Sequence, residues 1–220
     1  TPLYSSAASD VYKRQDVCLA SAMARAAIKG LQGDDVSSKY KVAACMKHFL
    51  GYSFSLNGKD RTPVWLSERE MRAYFLPTFQ EAIATGAKTV MINSGDINGT
   101  PVHANYDILT TLLRDELKFK GVAVTDWEDI YKLEQLHRVA ATKKEAVRMA
   151  IMAGVDMSMV PNDFQFCDLL VELIKGGTVP MSRIDLSVKR ILSLKRELGL
   201  FEHPIYAVKD YPAFGSVEHS

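Results

Sequence analysis

Four short apolar runs, each followed by a helical pattern, constrain this chain more than any other feature. They are Val42-Ala43-Ala44-Cys45-Met46, Lys88-Thr89-Val90-Met91-Ile92-Asn93, Gly121-Val122-Ala123-Val124-Thr125 and Gly154-Val155-Asp156-Met157-Ser158-Met159-Val160. Runs of this length, bounded by Gly, Pro or polar residues, read as buried strands. Apolar residues recur at helical spacing over residues 16–30, closed by Gly30, and over 71–83, with a kink at Pro77. The same spacing returns over 106–117, 143–152, 163–175 and 182–198, while 126–142 reads as irregular. Ser67-Glu68-Arg69-Glu70 has the form of a capping box, with Leu66 and Met71 placed as its staple. Ser182 and Asp185 read as a cap pair, with Ile184, Val188, Ile191, Leu192 and Leu198 facing inward. A leading helix and four βα units predict an α/β fold with a parallel sheet, either open and doubly wound or part of a β/α barrel. Four strands cannot close a barrel of eight.

Composition removes several function classes. Lys plus Arg number 27 against 26 Asp plus Glu, a net charge of +1, so nothing recommends nucleic acid or an anionic membrane as partner. No apolar run approaches the roughly 20 residues that span a bilayer. Cys18, Cys45 and Cys167 are an odd, widely spaced set, read as small buried hydrophobes without a disulfide or metal framework. No metal or cofactor fingerprint is present: no zinc spacing, phosphate loop or dinucleotide glycine pattern. Residues 1–15 resemble translated sequencing adaptor and are set aside from the fold; residues 201–220, with Pro204, Pro212 and Gly215, read as the start of a linker.

Each apolar run delivers polar groups at its carboxyl end: Lys47-His48, Asn93-Ser94, Thr125-Asp126, and Ser158 before Val160. In a parallel sheet those ends share one rim, which is where such folds carry their chemistry. Asp126 either caps the following turn or acts as a nucleophile. Lys47 either forms a Schiff base or, with His48, donates hydrogen bonds to substrate hydroxyls. Trp127 favours the second reading, because sugar rings present apolar faces that pack on aromatics. Asp60-Arg61 lies in the long loop between residues 51 and 63 and reads as a surface ion pair worth ~0–1 kcal/mol, or as a pair orienting Lys47. His103, His137 and His203 read as surface or packing histidines, and Asp156 as satisfying neighbouring backbone groups. Asn98-Gly99-Thr100 matches a glycosylation sequon.

The combination of Val42 to Phe49, Gly58-Lys59-Asp60-Arg61-Thr62-Pro63, Val90-Met91-Ile92-Asn93-Ser94 and Val124-Thr125-Asp126-Trp127 resembles glycoside hydrolase family 3. Ala153-Gly154-Val155-Asp156-Met157, Arg183-Ile184-Asp185 and Leu198-Gly199-Leu200-Phe201 extend the likeness over residues 16–220. The resemblance is to bacterial β-glucosidases acting on plant glucans, including xyloglucan oligosaccharides. It implies the second half of a (β/α)8 barrel over residues 16–200 and a retaining mechanism with Asp126 as nucleophile. It implies that Lys47 and His48 hydrogen-bond the sugar, that Met91 and Trp127 line its subsite, and, more weakly, that Asp60 steadies the Lys–His pair. Ser94 stands where many members carry Tyr, at the subsite floor. The N-acetylglucosaminidase branch is disfavoured, since Phe49-Leu50-Gly51-Tyr52 follows Lys47-His48 and no Asp-Ser-His occurs. The family's sugar-clasping Asp and Arg and its acid/base Glu, in a C-terminal α/β domain, are expected outside these 220 residues; neither Glu128 nor Asp129 takes the acid's role. The expected substrate is a β-glucoside oligosaccharide, the expected location periplasmic or secreted, and 1–220 alone inactive. A non-catalytic sugar-binding fragment and a Schiff-base lyase using Lys47 remain the alternatives.

Overall fold

The computed structural model describes residues 16–52, 54–205 and 211. The expectation for residues 1–15 lies outside them, as does most of that for 201–220. Helix α1 (Val17–Gln32) starts at Asp16, whose carboxylate accepts the Leu19 N–H at 2.9 Å. It runs through Gly30 and stops at Gly33, later than expected. A glycine inside a helix costs about 1 kcal/mol, and the extra turn recovers it at Gln32. That buried amide donates to Gly86 O at 3.0 Å and accepts from Ala44 N at 3.1 Å, tying α1 to the sheet.

Four strands form one parallel sheet: β1 (Cys45–Phe49), β2 (Thr89–Ile92), β5 (Val122–Trp127) and β6 (Met157–Met159), in that order. Each strand lies beside its predecessor in the chain, with no reversal of direction across the sheet. The register pairs Met46 with Val90 and Val90 with Ala123, and pairs Met91 with Val124 and Val124 with Met157. Side chains alternate across a pleat, so Met46, Val90, Ile92, Ala123 and Thr125 are buried beneath the helices. Lys47, Met91, Val124 and Met157 face the other way and are exposed or half-buried. β1 begins three residues later than its apolar run and carries Lys47 and His48 within it. Val42 is exposed, bound through its N–H to Leu31 O.

The helical layer contains α2 (Glu68–Glu70), a π-helical stretch (Met71–Phe75) and α3 (Leu76–Ala84) in succession. The Ser67 capping box is formed, and α3 starts with Pro77 in its first turn, so the irregularity sits before the proline rather than at it. A second π-helix covers Asp107–Glu116, followed after β5 by α4 (Asp129–Gln135) and α5 (Lys143–Ala153). After β6 come α6 (Gln165–Lys175) and α7 (Met181–Glu197). α4 was not expected; it is short, and Glu128 at its start is left-handed (φ 56°) with no capping side chain. Also unexpected is the hairpin of β3 (Asp96–Ile97) and β4 (Thr100–Pro101), which turns on Asn98 (φ 53°) and Gly99 (φ 82°). Asn-Gly is the pair that tolerates two successive positive φ values. The residues that match a sequon thus build a turn, and the Asn98 amide bonds both Leu66 N and Leu66 O at 2.8 Å.

Two further expectations are corrected. Cys18, Cys45 and Cys167 are exposed, because Cys45 lies on the uncovered face of the sheet and the others on outer helix faces. On α7 the buried residue is Ser187, while Val188 and Leu192 are exposed and Pro180, not Ser182, precedes the helix. Ile184 packs against the core as expected, and a polar cluster holds α7 alongside it. The buried Asp156 carboxylate, just before β6, accepts from Ala123 N (3.0 Å), Arg114 Nη2 (2.6 Å), Ser187 Oγ (2.7 Å) and Arg190 Nη1 (2.8 Å), with Arg183 Nη1 at 3.5 Å. Burial pushes the Arg114 guanidinium down to about 10.

Candidate active site

The carboxyl ends of the strands bring a compact polar site to one rim. Thr125 anchors the tip of β5: it is fully buried and its hydroxyl accepts the Met159 N–H at 2.8 Å from β6. The next side chain, Asp126, therefore emerges on the uncovered face at a fixed height. Its Oδ2 lies 3.1 Å from Arg61 Nη2, 3.4 Å from Ser94 Oγ and 3.5 Å from His48 Nε2, while Oδ1 accepts the Trp127 N–H at 2.6 Å. Burial raises the pKa of this carboxyl, but the Trp127 N–H, Arg61, His48 and Lys132 together outweigh it and hold Asp126 below the ordinary carboxylate range. It is ionised at neutral pH, with 19% of its side chain open to solvent. Trp127 is half exposed beside it, its indole free to receive an apolar ring face.

Each partner arrives by a different route. His48 comes from within β1 and stacks on Tyr52, ring centroids 4.3 Å apart. The Tyr52 hydroxyl donates a short hydrogen bond to Asp60, and burial together with that carboxylate pushes the phenol up to about 12. Asp60 thus braces His48 through Tyr52, and it is itself mostly exposed. Ser94, buried at the end of β2, sits beside Asn93, whose amide donates to Leu50 O at 2.7 Å and accepts from Gly95 N at 2.8 Å. The bond to Leu50 ties the turn after β2 to the turn after β1, and the bond from Gly95 fixes the Asn93 amide.

Arg61 corrects the surface-pair expectation. It does approach Asp60 (3.5 Å), but its guanidinium reaches under the rim to Asp126 and to Asp129 Oδ1 (3.4 Å). Its backbone is left-handed, φ 58°, a conformation costing about 1–3 kcal/mol for a non-glycine residue. The loop is held in that shape by the Thr62 hydroxyl, 2.7 Å from Asn57 Oδ1 and 2.8 Å from Lys59 O. Asp129 was likewise missed. Only 1% of its side chain is exposed, and it bonds Ser94 Oγ at 2.6 Å and Lys132 Nζ at 2.7 Å. His103, from the 3₁₀ turn Val102–Ala104, is buried with Nε2 at 3.6 Å from Asp129 Oδ2, and burial pulls it down to about 4 despite that carboxylate.

Of the residues singled out in the sequence, the structure gathers Asp126, His48 and Ser94, with Trp127 alongside and Asp60 one contact removed. Met91 lies on the same uncovered face, two strands' register from Met157. Lys47 is exposed on β1, and no hydrogen bond joins it to Asp126. Chemically, the arrangement offers an ionised carboxylate bonded by Arg61 on one oxygen and by the Trp127 N–H on the other, with His48 and Ser94 close by, next to an open aromatic surface. Among the described residues no group of three or more His, Cys, Asp or Glu side chains is placed to hold a metal ion, and no helix is long and apolar enough to cross a membrane.

A parallel-sheet α/β domain with an ionised carboxylate at a central strand tip is the class that fold and site define. The model of the glycosyl hydrolase family 3 N-terminal domain matches residues 9–194, and the chain belongs to this family. It is 52% identical over 196 residues to a lysosomal β-glucosidase of Dictyostelium discoideum, covering 86% of this chain and 24% of that protein. It is 35% identical over 190 residues to a periplasmic β-glucosidase of Salmonella typhimurium, with the same coverage of 86% and 24%. The crystal structure of a mutant β-glucosidase from Listeria innocua in complex with laminaribiose superposes with a TM-score of 0.86 at 31% identity, over 93% of this chain and 29% of that one. The chain thus spans about a quarter of the length of the curated relatives it matches.

Proposed function

We propose that this chain carries the nucleophile of a retaining β-glucosidase that hydrolyses terminal β-D-glucosyl residues of oligosaccharides. The observation that carries the reading is Asp126 at the tip of β5, its pKa held low by the Trp127 N–H, Arg61, His48 and Lys132, beside half-exposed Trp127. In the first step an Asp126 oxygen attacks the anomeric carbon, and in the second water hydrolyses the glycosyl ester. His48 and Lys47 hydrogen-bond sugar hydroxyls, and Met91 and Trp127 line the glucosyl subsite. Lys47 is exposed and lacks the burial that a Schiff-base lysine requires, so the lyase reading has no support.

The sequential strand order and the single covered face support reading residues 16–200 as the second half of a (β/α)8 barrel, the uncovered face being its lumen. In this reading 201–220 begin a linker. The sugar-clasping Asp and Arg and the acid/base Glu come from other parts of the full-length protein, the Glu from a C-terminal domain that is the chain's natural partner. Asp129 cannot serve as the acid, since it is buried beneath the rim. Relatives named periplasmic and lysosomal support a location outside the cytosol, periplasmic or secreted.

The test is chemical rescue in the full-length protein. Asp126→Gly removes turnover of an aryl β-glucoside, and added azide restores it, yielding the α-glucosyl azide. Retained turnover in the variant, or rescue that yields the β-azide, contradicts the assignment.

A further inference from the structure

Asp129 stands three residues beyond Asp126 on the first turn of α4, too deeply buried to meet a substrate. Yet the two carboxylates share one cation, Arg61, and neighbour one hydroxyl, Ser94. Arg61 straddles them, Nη2 to Asp126 Oδ2 at 3.1 Å and Nη1 to Asp129 Oδ1 at 3.4 Å. The single Ser94 hydroxyl proton goes to Asp129, 2.6 Å away, leaving Asp126 Oδ2 at 3.4 Å from the same oxygen. Lys132 Nζ completes the set at 2.7 Å from Asp129 and 2.6 Å from Trp127 O, joining the cluster to the residue after the nucleophile. His103 Nε2, buried and without a hydrogen-bond partner, closes the far side. A guanidinium offers five donors in a rigid fork, so Nη1 and Nη2 serve the two carboxylates at once while its single positive charge is shared between them.

We infer that Asp129 is a positioning residue that divides the charge of Arg61 between itself and Asp126, keeping the nucleophile basic enough to attack and giving Arg61 a carboxylate partner once Asp126 is esterified. This rests on Asp126 being the nucleophile. In the first step an electron pair of Asp126 forms the bond to the anomeric carbon. The bond from that carbon to the leaving oxygen breaks, and the leaving oxygen takes a proton from a carboxylic acid elsewhere in the full-length protein. Asp126 thereby loses its charge, and without Asp129 the carboxylate left to Arg61 is the mostly exposed Asp60 at 3.5 Å. In the second step water bonds the anomeric carbon and gives its proton to the same carboxylate, while the ester electron pair returns to Asp126. A carboxylate gripped harder by Arg61 is a weaker nucleophile and a better leaving group. Loss of the Asp129 charge must therefore slow the first step and quicken the second. A residue that merely packs the rim slows both.

The experiment uses full-length protein and Asp129→Asn, with 2,4-dinitrophenyl β-glucoside as substrate and 2-fluoro-2-deoxyglucosyl fluoride as trap. The expected result is a kcat/KM lower by about 3- to 10-fold, a kcat unchanged or raised, and faster reactivation of the trapped enzyme. The acidic limb of kcat/KM moves to lower pH, because one negative neighbour is removed from the groups facing Asp126. Those groups are His48 from β1, Tyr52, Asp60 and Arg61 from the loop, His103 from the 3₁₀ turn, and Lys132 from α4. Parallel falls in kcat, kcat/KM and reactivation, with the acidic limb unmoved, overturn the inference while an adduct on Asp126 leaves the nucleophile assignment intact. An adduct on another residue overturns both. Should Asp129→Asn not fold, Arg61→Lys serves: a single ammonium must side with one carboxylate, so kcat/KM and reactivation must change in opposite directions, and a change in the same direction overturns the inference.

Discussion

Asp126 owes its lowered pKa to neighbours that come from three separate segments, and their routes explain what could be seen in advance. Asp126, His48 and Ser94 end or nearly end apolar runs, and a parallel sheet gathers such ends on one rim. Arg61 and Asp129 have no such signature. Arg61 reaches the rim only because its loop folds back through a left-handed residue, and Asp129 belongs to a helix whose start lacks a capping side chain. His103 is a related case: it was read as packing, and nothing in the sequence sets it beside Asp129. Its burial predicts a pH effect on stability. The folded imidazole titrates near about 4, against 6.5 unperturbed, so between these values the unfolded chain binds more protons and stability falls as pH falls. Urea unfolding of the full-length protein at pH 7, 5.5 and 4.5 should show that loss, and His103→Gln should flatten it. An equal slope in the variant would refute the attribution.

At the scale of elements, the four strands were legible because their apolar residues are contiguous, and most helices because their stripes are regular. The Asn98-Gly99 hairpin carried its own signal, which the sequon match obscured. The arrangement of α7 was only partly legible for a different reason: besides Ile184, it docks through Ser187, Arg183 and Arg190 on the buried Asp156. Removing one partner from a buried ionic cluster costs about 3–5 kcal/mol. Asp156→Asn, which leaves three guanidinium groups without their carboxylate, should lower unfolding free energy by about that much in urea titrations, while the active-site rim, at the opposite ends of the strands, keeps its geometry. A loss below about 1 kcal/mol, the worth of a surface pair, would mean that the cluster is dispensable.

Across the whole molecule, one face of the sheet is packed under helices and the other carries exposed Lys47, Cys45 and Met157 around half-buried Met91 and Val124. Parallel sheets are stable when both faces are covered, and an uncovered face beside free strand edges invites association. Residues 1–220 on their own are therefore expected to unfold without a cooperative monomeric transition and to leave aryl β-glucosides intact. Calorimetry with a glucosidase assay checks this, and robust turnover or a sharp monomeric transition would contradict it. The central claim is narrower and more directly tested. Full-length protein, treated with 2,4-dinitrophenyl 2-fluoro-2-deoxy-β-glucoside, digested with pepsin and mapped by tandem mass spectrometry, should carry one 2-fluoroglucosyl group, on Asp126. An adduct on another carboxylate, or none in an enzyme that turns over β-glucosides, would contradict the account.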